Sequence, residues 1–361
     1  MRAAVLGVGL IGGSIGLASR EKLDCEVVGW SRSRETLERA VSLGAIDRAA
    51  GSVAEACAEA DAVFCAAPVG VLPQLAREAL EASGPETVVT DAGSTKQEIV
   101  AALGEDERFV GGHPLAGAES AGVENARADL FEGARWYLTP TDRTGGIHYD
   151  RLQRAIASMG ARPEAIDAAA HDRLMASVSH LPHVLANVLV GQAAAELSGD
   201  SERMPQAGPS FRDSTRVAGS NPAIWADIFS SNSEAVAAAI DDASARLREA
   251  AELIRGGDRE SVAAWQAAAG ADRRRLLESD LAAGPLQELR VAVANRPGTV
   301  AELALALGEA GVNIEDMALY PAADMRSGAI SLWVAGPEQA QRALALVREL
   351  GHSASIVQAE D

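Results

Sequence analysis

The first part of the chain alternates short apolar runs with segments of helical periodicity. Apolar runs of this length indicate strands, and their alternation with helices is typical of parallel βαβ units. The predicted strands are 3–6, 26–30, 61–65, 87–91, 108–111 and 136–139, and the predicted helices are 12–19, 34–43, 71–82 and 96–103. We therefore expect an α/β domain with a doubly wound sheet over residues 1–147.

The strand signal nearly disappears after residue 147. Apolar residues then recur at helical spacing in the segments 152–159, 168–197, 222–254 and 260–281. Asp167 and Asn221 are candidate N-caps, and Gly256 and Gly257 end the third segment. We expect an all-helical domain over residues 148–281. Its long, alanine-rich helix faces are typical of a homodimer.

The stretch from Leu174 to Ala195 is uncharged and long enough to span a bilayer. It contains His180, Pro182 and His183, which are costly in lipid and common on buried helices that line a site. We therefore predict a core helix, no membrane partner and a cytoplasmic location.

The chain returns to strands after a predicted linker over residues 282–287. The predicted order is strand 289–294, helix 298–310, strand 313–319, strand 329–334, helix 337–350 and strand 354–357. This βαββαβ order within about seventy residues is that of a ferredoxin-like fold. We expect a third domain over residues 288–361.

Composition narrows the possible function classes. The 361 residues are 48% hydrophobic and 23% charged, which is ordinary for a soluble chain of two or three domains. Lys and Arg number 32 against 51 Asp and Glu, so the net charge is −19. Phosphate backbones repel such a chain, and nucleic acid is not an expected partner. Cys25, Cys57 and Cys65 lack metal-site spacing, and their odd number argues against a disulfide framework.

A glycine fingerprint follows the first predicted strand. Gly7-Val8-Gly9-Leu10-Ile11-Gly12 lies between this strand and a predicted helix. Glycines there permit a tight turn and close approach of the backbone to a pyrophosphate, which binds at the helix N-terminus. The pattern predicts a Rossmann-like domain that binds a dinucleotide through this turn.

The end of the second predicted strand bears on which dinucleotide binds. An acidic residue there binds the ribose of NAD, and an arginine accommodates the 2′-phosphate of NADP. This chain has Ser31 and Arg32 and no carboxylate. We expect NAD as the cofactor, and NADP stays open because these two side chains could hold a phosphate.

Polar side chains cluster in four further stretches. Ser94 and Lys96 follow the fourth predicted strand, where ligands bind in doubly wound folds. His113 follows the fifth, between Gly112 and Pro114, and histidine is suited to proton transfer near neutral pH. The lysine indicates a point charge that arginine would not replace.

The other two stretches lie in the helical part. His180 and His183 are three residues apart and share a helix face, with no Cys or Glu ligand at useful spacing, so we expect no metal. Arg212 and Arg216 could capture a carboxylate, as arginine does with two parallel hydrogen bonds. We expect a surface salt bridge for Arg212 and substrate binding for Arg216.

Together these motifs resemble the prephenate/arogenate dehydrogenase family. The resemblance covers about residues 1–280 and rests on the glycine fingerprint and on the sequences DAGSTK, GGHPLAG, HDRLMASVSHLPH, SFRDSTRVA and NPAIWADIFSSN. The last domain resembles an ACT module, which implies an amino-acid effector bound between two copies. The effector-binding residues that this resemblance implies are Asn295, Pro297, Gly298, Asn313 and Ile314.

The resemblance implies oxidative decarboxylation of prephenate to 4-hydroxyphenylpyruvate, a step of tyrosine biosynthesis. His113 would accept the proton of the substrate hydroxyl, Ser94 would orient it, and Arg216 would bind a carboxylate. Lys96 would also bind the substrate, and His180 and His183 would line the pocket. Tyrosine is the expected effector.

Three alternatives stay open. Arogenate differs from prephenate only by an amino group in place of the keto group, and no residue decides between them. A β-hydroxyacid or imine reductase also joins these two domain types, but such enzymes place a lysine on the long helix, and 174–195 has none. A non-catalytic amino-acid sensor is the third alternative.

Overall fold

The computed structural model describes residues 1–117, 121–197, 208–278, 286–294, 296, 298–322 and 327–357. The strands are β1 (Arg2–Leu6), β2 (Glu26–Trp30), β3 (Arg48–Ala49), β4 (Ala62–Cys65), β5 (Val88–Asp91), β6 (Phe109–Pro114), β7 (Arg135–Thr139), β8 (Arg162–Ala165), β9 (Leu286–Ala294), β10 (Asp316–Pro321), β11 (Ser327–Ala335) and β12 (Ser353–Ile356). The chain divides into two compact units, Met1–Arg246 and Leu247–Asp361.

The α-helices alternate with these strands and fill the middle of the chain. They are α1 (Leu10–Leu23), α2 (Arg34–Ser42), α3 (Val53–Cys57), α4 (Leu72–Ala82), α5 (Gln97–Leu103), α6 (Gly146–Ser158), α7 (Ala168–Met175), α8 (Leu181–Leu197), α9 (Pro209–Thr215), α10 (Pro222–Ser231), α11 (Ser233–Gly256), α12 (Arg259–Glu278), α13 (Thr299–Glu309) and α14 (Pro337–Glu349).

The sheet of the first unit has the order β3-β2-β1-β4-β5-β6-β7-β8 among the described residues. Strands β1 to β6 pair in parallel, β7 runs antiparallel to β6, and β8 is parallel to β7. Alternate residues of a strand enter different cores: Ala3 and Val5 pack on one face, and Ala4 and Leu6 on the other. Burial on both faces explains the continuous apolar runs, and the predicted doubly wound domain is confirmed.

Three sequence predictions near this sheet need correction. β8 was not predicted, and it extends the sheet beyond the boundary placed at residue 147. α6 also packs its Leu152 and Ile156 into the core of the sheet instead of belonging to a separate helical domain. β6 continues to Pro114, so His113 lies within the strand and not after it.

The helical segment also differs from its prediction in two places. One turn of π-helix, Ala176–His180, connects α7 to α8. The predicted helix 222–254 is two helices, because it is interrupted at Asn232, whose side chain bonds to α7 and to the π-helical turn. Both interruptions bring polar side chains of this segment together.

The uncharged helix was predicted to be a core helix, and in the single chain it is not. Among the described residues, Ala168–Glu196 is long and apolar enough to cross a membrane, but only 22% of its most apolar window is buried. Val178 is 58% exposed and Val188 is 56% exposed. An exposed apolar surface of this kind marks a region that another molecule covers.

The second unit contains an antiparallel sheet of order β10-β11-β9-β12. Leu289, Val291 and Ile330 join residues of α13 and α14 in one core on one side of this sheet. The element order and sheet order are those of a ferredoxin-like fold, as predicted. β9 begins at Leu286, so the predicted linker is shorter by two residues, and its residues 282–285 lie outside the described residues.

Candidate active site

The glycine turn between β1 and α1 has the geometry that its sequence predicted. Gly7 has a φ of +97°, and a Cβ atom on it would collide with the carbonyl oxygen of Ala66. A Cβ on Gly12 would collide with the carbonyl oxygen of Gly7. Within the described residues no side chain caps α1, so the backbone N–H groups of its first turn can meet a phosphate. The turn and the open helix end therefore fit a dinucleotide pyrophosphate.

Two cavities adjoin at this turn. They have volumes of about 610 and 560 Å³, and both are lined by Gly9, Ala66, Ala67, Pro68 and Gly122. A dinucleotide is long enough to occupy both when its pyrophosphate lies at the shared glycine turn. The smaller cavity would then hold one nucleoside and the larger cavity the other.

The smaller cavity contains both residues that were predicted to select the dinucleotide. Ser31 and Arg32 line it, together with Trp30 and Thr36. Glu78 is the one carboxylate in its described lining, and it comes from α4 and not from the end of β2. The end of β2 therefore presents a hydroxyl and a guanidinium to the cavity, without the acidic group that is typical of NAD recognition.

The larger cavity joins distant parts of the chain. Gly9 and Leu10 contribute the start of α1, Ser94 contributes the loop after β5, and Arg216 and Trp225 come from the helical segment. Arg216 is exposed in the single chain, yet it lines this cavity. A hydroxyl, a guanidinium and an aromatic ring thus surround the space beside the glycine turn.

Lys96 does not reach this cavity. Its side chain is fully buried, and its ammonium group pairs with Asp91. Burial lowers the pKa of Lys96, and the carboxylates of Asp91 and Asp172 offset only part of this shift. The predicted contact with substrate is therefore corrected: among the described residues, Lys96 serves the loop and not the cavity wall.

The carboxylate of Asp91 fixes the ends of β5 and β6. It accepts hydrogen bonds from the backbone N–H of Gly93 at 2.8 Å and from that of Gly112 at 3.0 Å. These bonds and the pair with Lys96 hold the Ser94 loop next to the strand that carries His113. The sequence pattern alone suggested no such role for Asp91.

His113 is half-buried on β6 and contacts a second histidine. Its Nδ1 lies 2.9 Å from Nε2 of His171, whose Nδ1 lies 2.8 Å from Oδ1 of Asp172. Burial lowers the pKa of His113 well below its ordinary value, and the neighbouring His171, Lys96 and His180 add to the shift. His113 is therefore a neutral imidazole near pH 7. It does not belong to the described lining of either cavity.

Asp172 is fully buried and accepts three hydrogen bonds. Besides the His171 ring, its donors are the backbone N–H groups of Lys96 at 2.7 Å and of Gln97 at 2.8 Å, at the start of α5. Burial raises the pKa of Asp172, but the hydrogen bonds from His171, Gln97 and Lys96 outweigh it, and the pKa is lowered. The group is a carboxylate.

His180 and His183 meet the cavity indirectly. His180 is buried, its Nδ1 lies 3.2 Å from Nδ2 of Asn232, and its ring is edge-on to Trp225. The imidazole ring of His183 stacks on the same indole ring of Trp225. Burial lowers the pKa of His180 to about 4 and also lowers the pKa of His183. The two histidines therefore support the wall that Trp225 forms, whereas they were predicted to line the pocket themselves.

Sequence reasoning missed His171, Asp172 and Asn232 as members of the site. One signal was available for the first two, because this His-Asp pair lies just before the long uncharged stretch and a carboxylate that becomes buried needs hydrogen-bond donors. Asn232 gave no such signal. Within the described part of the chain, no group of three or more His, Cys, Asp or Glu side chains could hold a metal ion.

The predicted effector residues are only partly described. Gly298 precedes α13 with a φ of +93°, a conformation that favours glycine, and Nδ2 of Asn313 donates to Oε1 of Glu315 at 2.9 Å. Ile314 packs against the core of the second unit. Asn295 and Pro297 lie outside the described residues.

Two family models match the chain, "Prephenate dehydrogenase, nucleotide-binding domain" over residues 15–165 and "Prephenate dehydrogenase, dimerization domain" over residues 167–267. The prephenate dehydrogenase of Bacillus subtilis is 30% identical over 93% of each chain. The cyclohexadienyl dehydrogenase of Zymomonas mobilis is 31% identical over 71% of this chain and 89% of its own.

Solved structures give the same assignment. The prephenate dehydrogenase of A. aeolicus in complex with hydroxyphenyl propionate and NAD⁺ superposes with a TM-score of 0.70 at 31% identity, over 76% of this chain and 98% of its own. The arogenate dehydrogenase of Synechocystis superposes with a TM-score of 0.68 at 28% identity, over 76% of this chain and 100% of its own.

Proposed function

Because the chain belongs to the prephenate dehydrogenase family, we propose that it oxidises and decarboxylates prephenate to 4-hydroxyphenylpyruvate with NAD. One observation carries this proposal: Ser94 and Arg216 line a single cavity with the glycine turn that fits a dinucleotide. The reacting substrate would therefore lie beside the cofactor, between a hydroxyl and a guanidinium.

The residues present support each part of the reaction. When bound, NAD accepts the hydride that leaves the carbinol carbon. Arg216 binds a substrate carboxylate, for which its planar guanidinium is suited. Ser94 hydrogen-bonds the substrate hydroxyl, and His113 accepts the hydroxyl proton as a neutral base. Loss of carbon dioxide then makes the ring aromatic, so the protein has mainly to orient the substrate and take up one proton.

Arogenate is the second candidate substrate. The similarity to a named arogenate dehydrogenase supports it, and the two substrates share the carboxylates and the hydroxyl that these residues would contact. The test incubates the enzyme with prephenate or arogenate, each with NAD or NADP, and measures the absorbance of the reduced cofactor that forms. Turnover of prephenate with NAD supports the proposal, turnover of arogenate alone replaces the substrate, and turnover of neither refutes the function.

The residues at the end of β2 also bear on whether the enzyme uses NADP. Ser31 and Arg32 line the nucleoside cavity, where a 2′-phosphate would lie. We propose that the enzyme accepts NADP as well as NAD through these two side chains.

We also propose that a second subunit, and not lipid, covers the apolar face of the long helix. The exposed apolar side chains of this segment include Val178, Val188 and Leu189, and they lie in the region that matches a dimerisation domain. The histidines and the aspartate on the same helices serve the site, which is not typical of a membrane span.

We propose that residues 288–361, within the second unit, are an ACT domain that binds tyrosine. Its ferredoxin-like order and Gly298 before α13 support this proposal, and the Bacillus subtilis relative aligns with 93% of the chain, beyond the family models that end at residue 267. Tyrosine is titrated against the wild type and Asn313→Ala. Non-competitive inhibition that weakens in the variant supports regulation, and equal competitive inhibition of both places tyrosine in the active site.

A further inference from the structure

A line of hydrogen-bonded groups runs from His113 into the protein. His171 lies between His113 and Asp172, and both His171 and Asp172 are fully buried. His171 is also held from the side by Tyr137, whose ring is edge-on to it with centroids 5.6 Å apart. The two imidazoles therefore have one fixed relative orientation.

The carboxylate sets the direction of these hydrogen bonds. Asp172 already accepts backbone N–H groups on both of its oxygens, so a carboxylate at this position can only accept from His171 Nδ1. In a neutral His171 the proton is then on Nδ1, and Nε2 has a lone pair. That lone pair accepts from Nδ1–H of His113, which leaves the lone pair of His113 on Nε2.

We propose that His171 is a positioning residue that holds His113 in the tautomer whose Nε2 accepts the substrate proton, and that Asp172 fixes His171 for this role. The inference rests on the proposed role of His113 as the base. The proton passes from the substrate hydroxyl to Nε2 of His113, and the Nδ1–H bond to His171 is kept. The imidazolium so formed is stabilised through His171 by the negative charge of Asp172.

Several charged or titratable groups surround His113. His171 and Asp172 approach from α7, Lys96 from the start of α5, His180 from the π-helical turn, and Tyr137 from β7. In addition to burial, His171, Lys96 and His180 all lower the pKa of His113 and so oppose a positive charge on its ring. Replacement of His171 should therefore shift the pKa of the base.

The test compares two substitutions of His171. His171→Leu removes the acceptor, whereas His171→Gln keeps a carbonyl oxygen that can accept from His113. We expect His171→Leu to lower kcat by about a hundredfold, within the usual contribution of a general base, with little change in KM for NAD. We expect His171→Gln to regain at least about tenfold in kcat. The acidic limb of the kcat profile should shift in His171→Leu and return toward its wild-type position in His171→Gln.

The tautomer itself is measured by ¹⁵N NMR of histidine-labelled protein, with the six histidines assigned by substitution. We expect a protonated Nδ1 and an unprotonated Nε2 on His113 in the wild type and in His171→Gln, and a shift toward the other tautomer in His171→Leu. His148→Leu is the matched control, because His148, in α6, is also buried but its ring bonds to the backbone carbonyl of Pro85. It should leave the His113 signals and the pH profile unchanged.

Each outcome separates the two proposals. Equal losses in His171→Leu and His171→Gln, or a His113 tautomer that does not respond, would overturn the positioning role while the dehydrogenase activity stands. A wild type that turns over neither substrate refutes the proposed function, yet the tautomer measurement still decides the role of His171.

Discussion

The indole ring of Trp225 stacks on the imidazole of His183, with ring centroids 3.4 Å apart and planes inclined by 26°. The same indole meets the edge of His180 and lies against Phe229. Trp225 lines the larger cavity. Two histidines, His180 from the π-helical turn and His183 from α8, therefore set the orientation of one wall of this cavity. A π-helical turn shifts the following side chains around the helix, and such turns are frequent at functional sites.

The first prediction concerns this aromatic wall. Trp225→Ala should raise KM for prephenate about tenfold, which corresponds to about 1.4 kcal/mol of lost binding. The kcat should fall less, because Trp225 contacts no group that transfers a proton. Trp225→Phe keeps an aromatic surface and is the control, with a KM near that of the wild type. An unchanged KM in Trp225→Ala would show that the substrate does not touch this wall.

The second prediction concerns the proposed carboxylate anchor. Arg216→Ala should raise KM for prephenate by about a hundredfold, because a charge-assisted, bidentate hydrogen bond is among the stronger polar contacts. Arg212→Ala is the matched control, since Arg212 is exposed on α9 and does not line the cavity. Steady-state kinetics with saturating NAD decides the matter. Equal effects of the two substitutions would exclude Arg216 as the anchor.

The strands and the glycine turn could be predicted because their causes are local. A buried parallel strand is a continuous apolar run. Gly7 has a positive φ, and a Cβ on Gly12 would collide with the carbonyl oxygen of Gly7 in the same turn of the chain. β8 gave no such signal. It has the sequence Arg-Pro-Glu-Ala and pairs only at the edge of the sheet, where polar residues and proline are tolerated.

The site could be predicted only in part because it depends on contacts between distant segments. His113 and Ser94 could be proposed as site residues from their positions near strand ends. The burial of Lys96 depends on Asp91, and the partner of His113 depends on how α7 packs near α5. The break at Asn232 arises from its bonds to the Asp172 carbonyl and the His180 ring. No local periodicity records these contacts.

The third prediction concerns the dinucleotide. Ser31→Asp should raise KM for NADP by at least about tenfold, because a carboxylate at the end of β2 repels a 2′-phosphate and accepts from a 2′-hydroxyl. KM for NAD should be equal or lower. Arg34→Ala is the control, since Arg34 pairs with Glu38 and does not line the nucleoside cavity. A wild type that does not use NADP at all would contradict the proposed dual preference.

The fourth prediction follows from the buried His180. The pKa of His180 is lowered from 6.5 to about 4 in the folded protein. Between pH 6.5 and pH 4, the imidazole is therefore protonated in the unfolded chain and stays neutral in the folded one. Its contribution to stability is therefore complete above pH 6.5 and is lost as the pH falls toward 4, by up to about 3 kcal/mol. The free energy of unfolding is measured by urea titration from pH 7.5 to pH 5.

Substitution tests this assignment. His180→Gln should make the free energy of unfolding less dependent on pH over this range. A slope that is the same in the wild type and in His180→Gln would show that other groups, and not His180, are responsible for acid sensitivity.

The fifth prediction concerns the exposed face of α8. Val188→Asp should convert a dimer to a monomer, because burying an unpaired carboxylate in an apolar interface costs several kcal/mol. Mass is measured by light scattering at micromolar concentration. Ile147→Asp is the matched control, since Ile147 is 70% exposed but lies on α6 of the sheet domain. If Val188→Asp and the wild type have the same mass, the second subunit does not cover this face, and the long helix needs another partner.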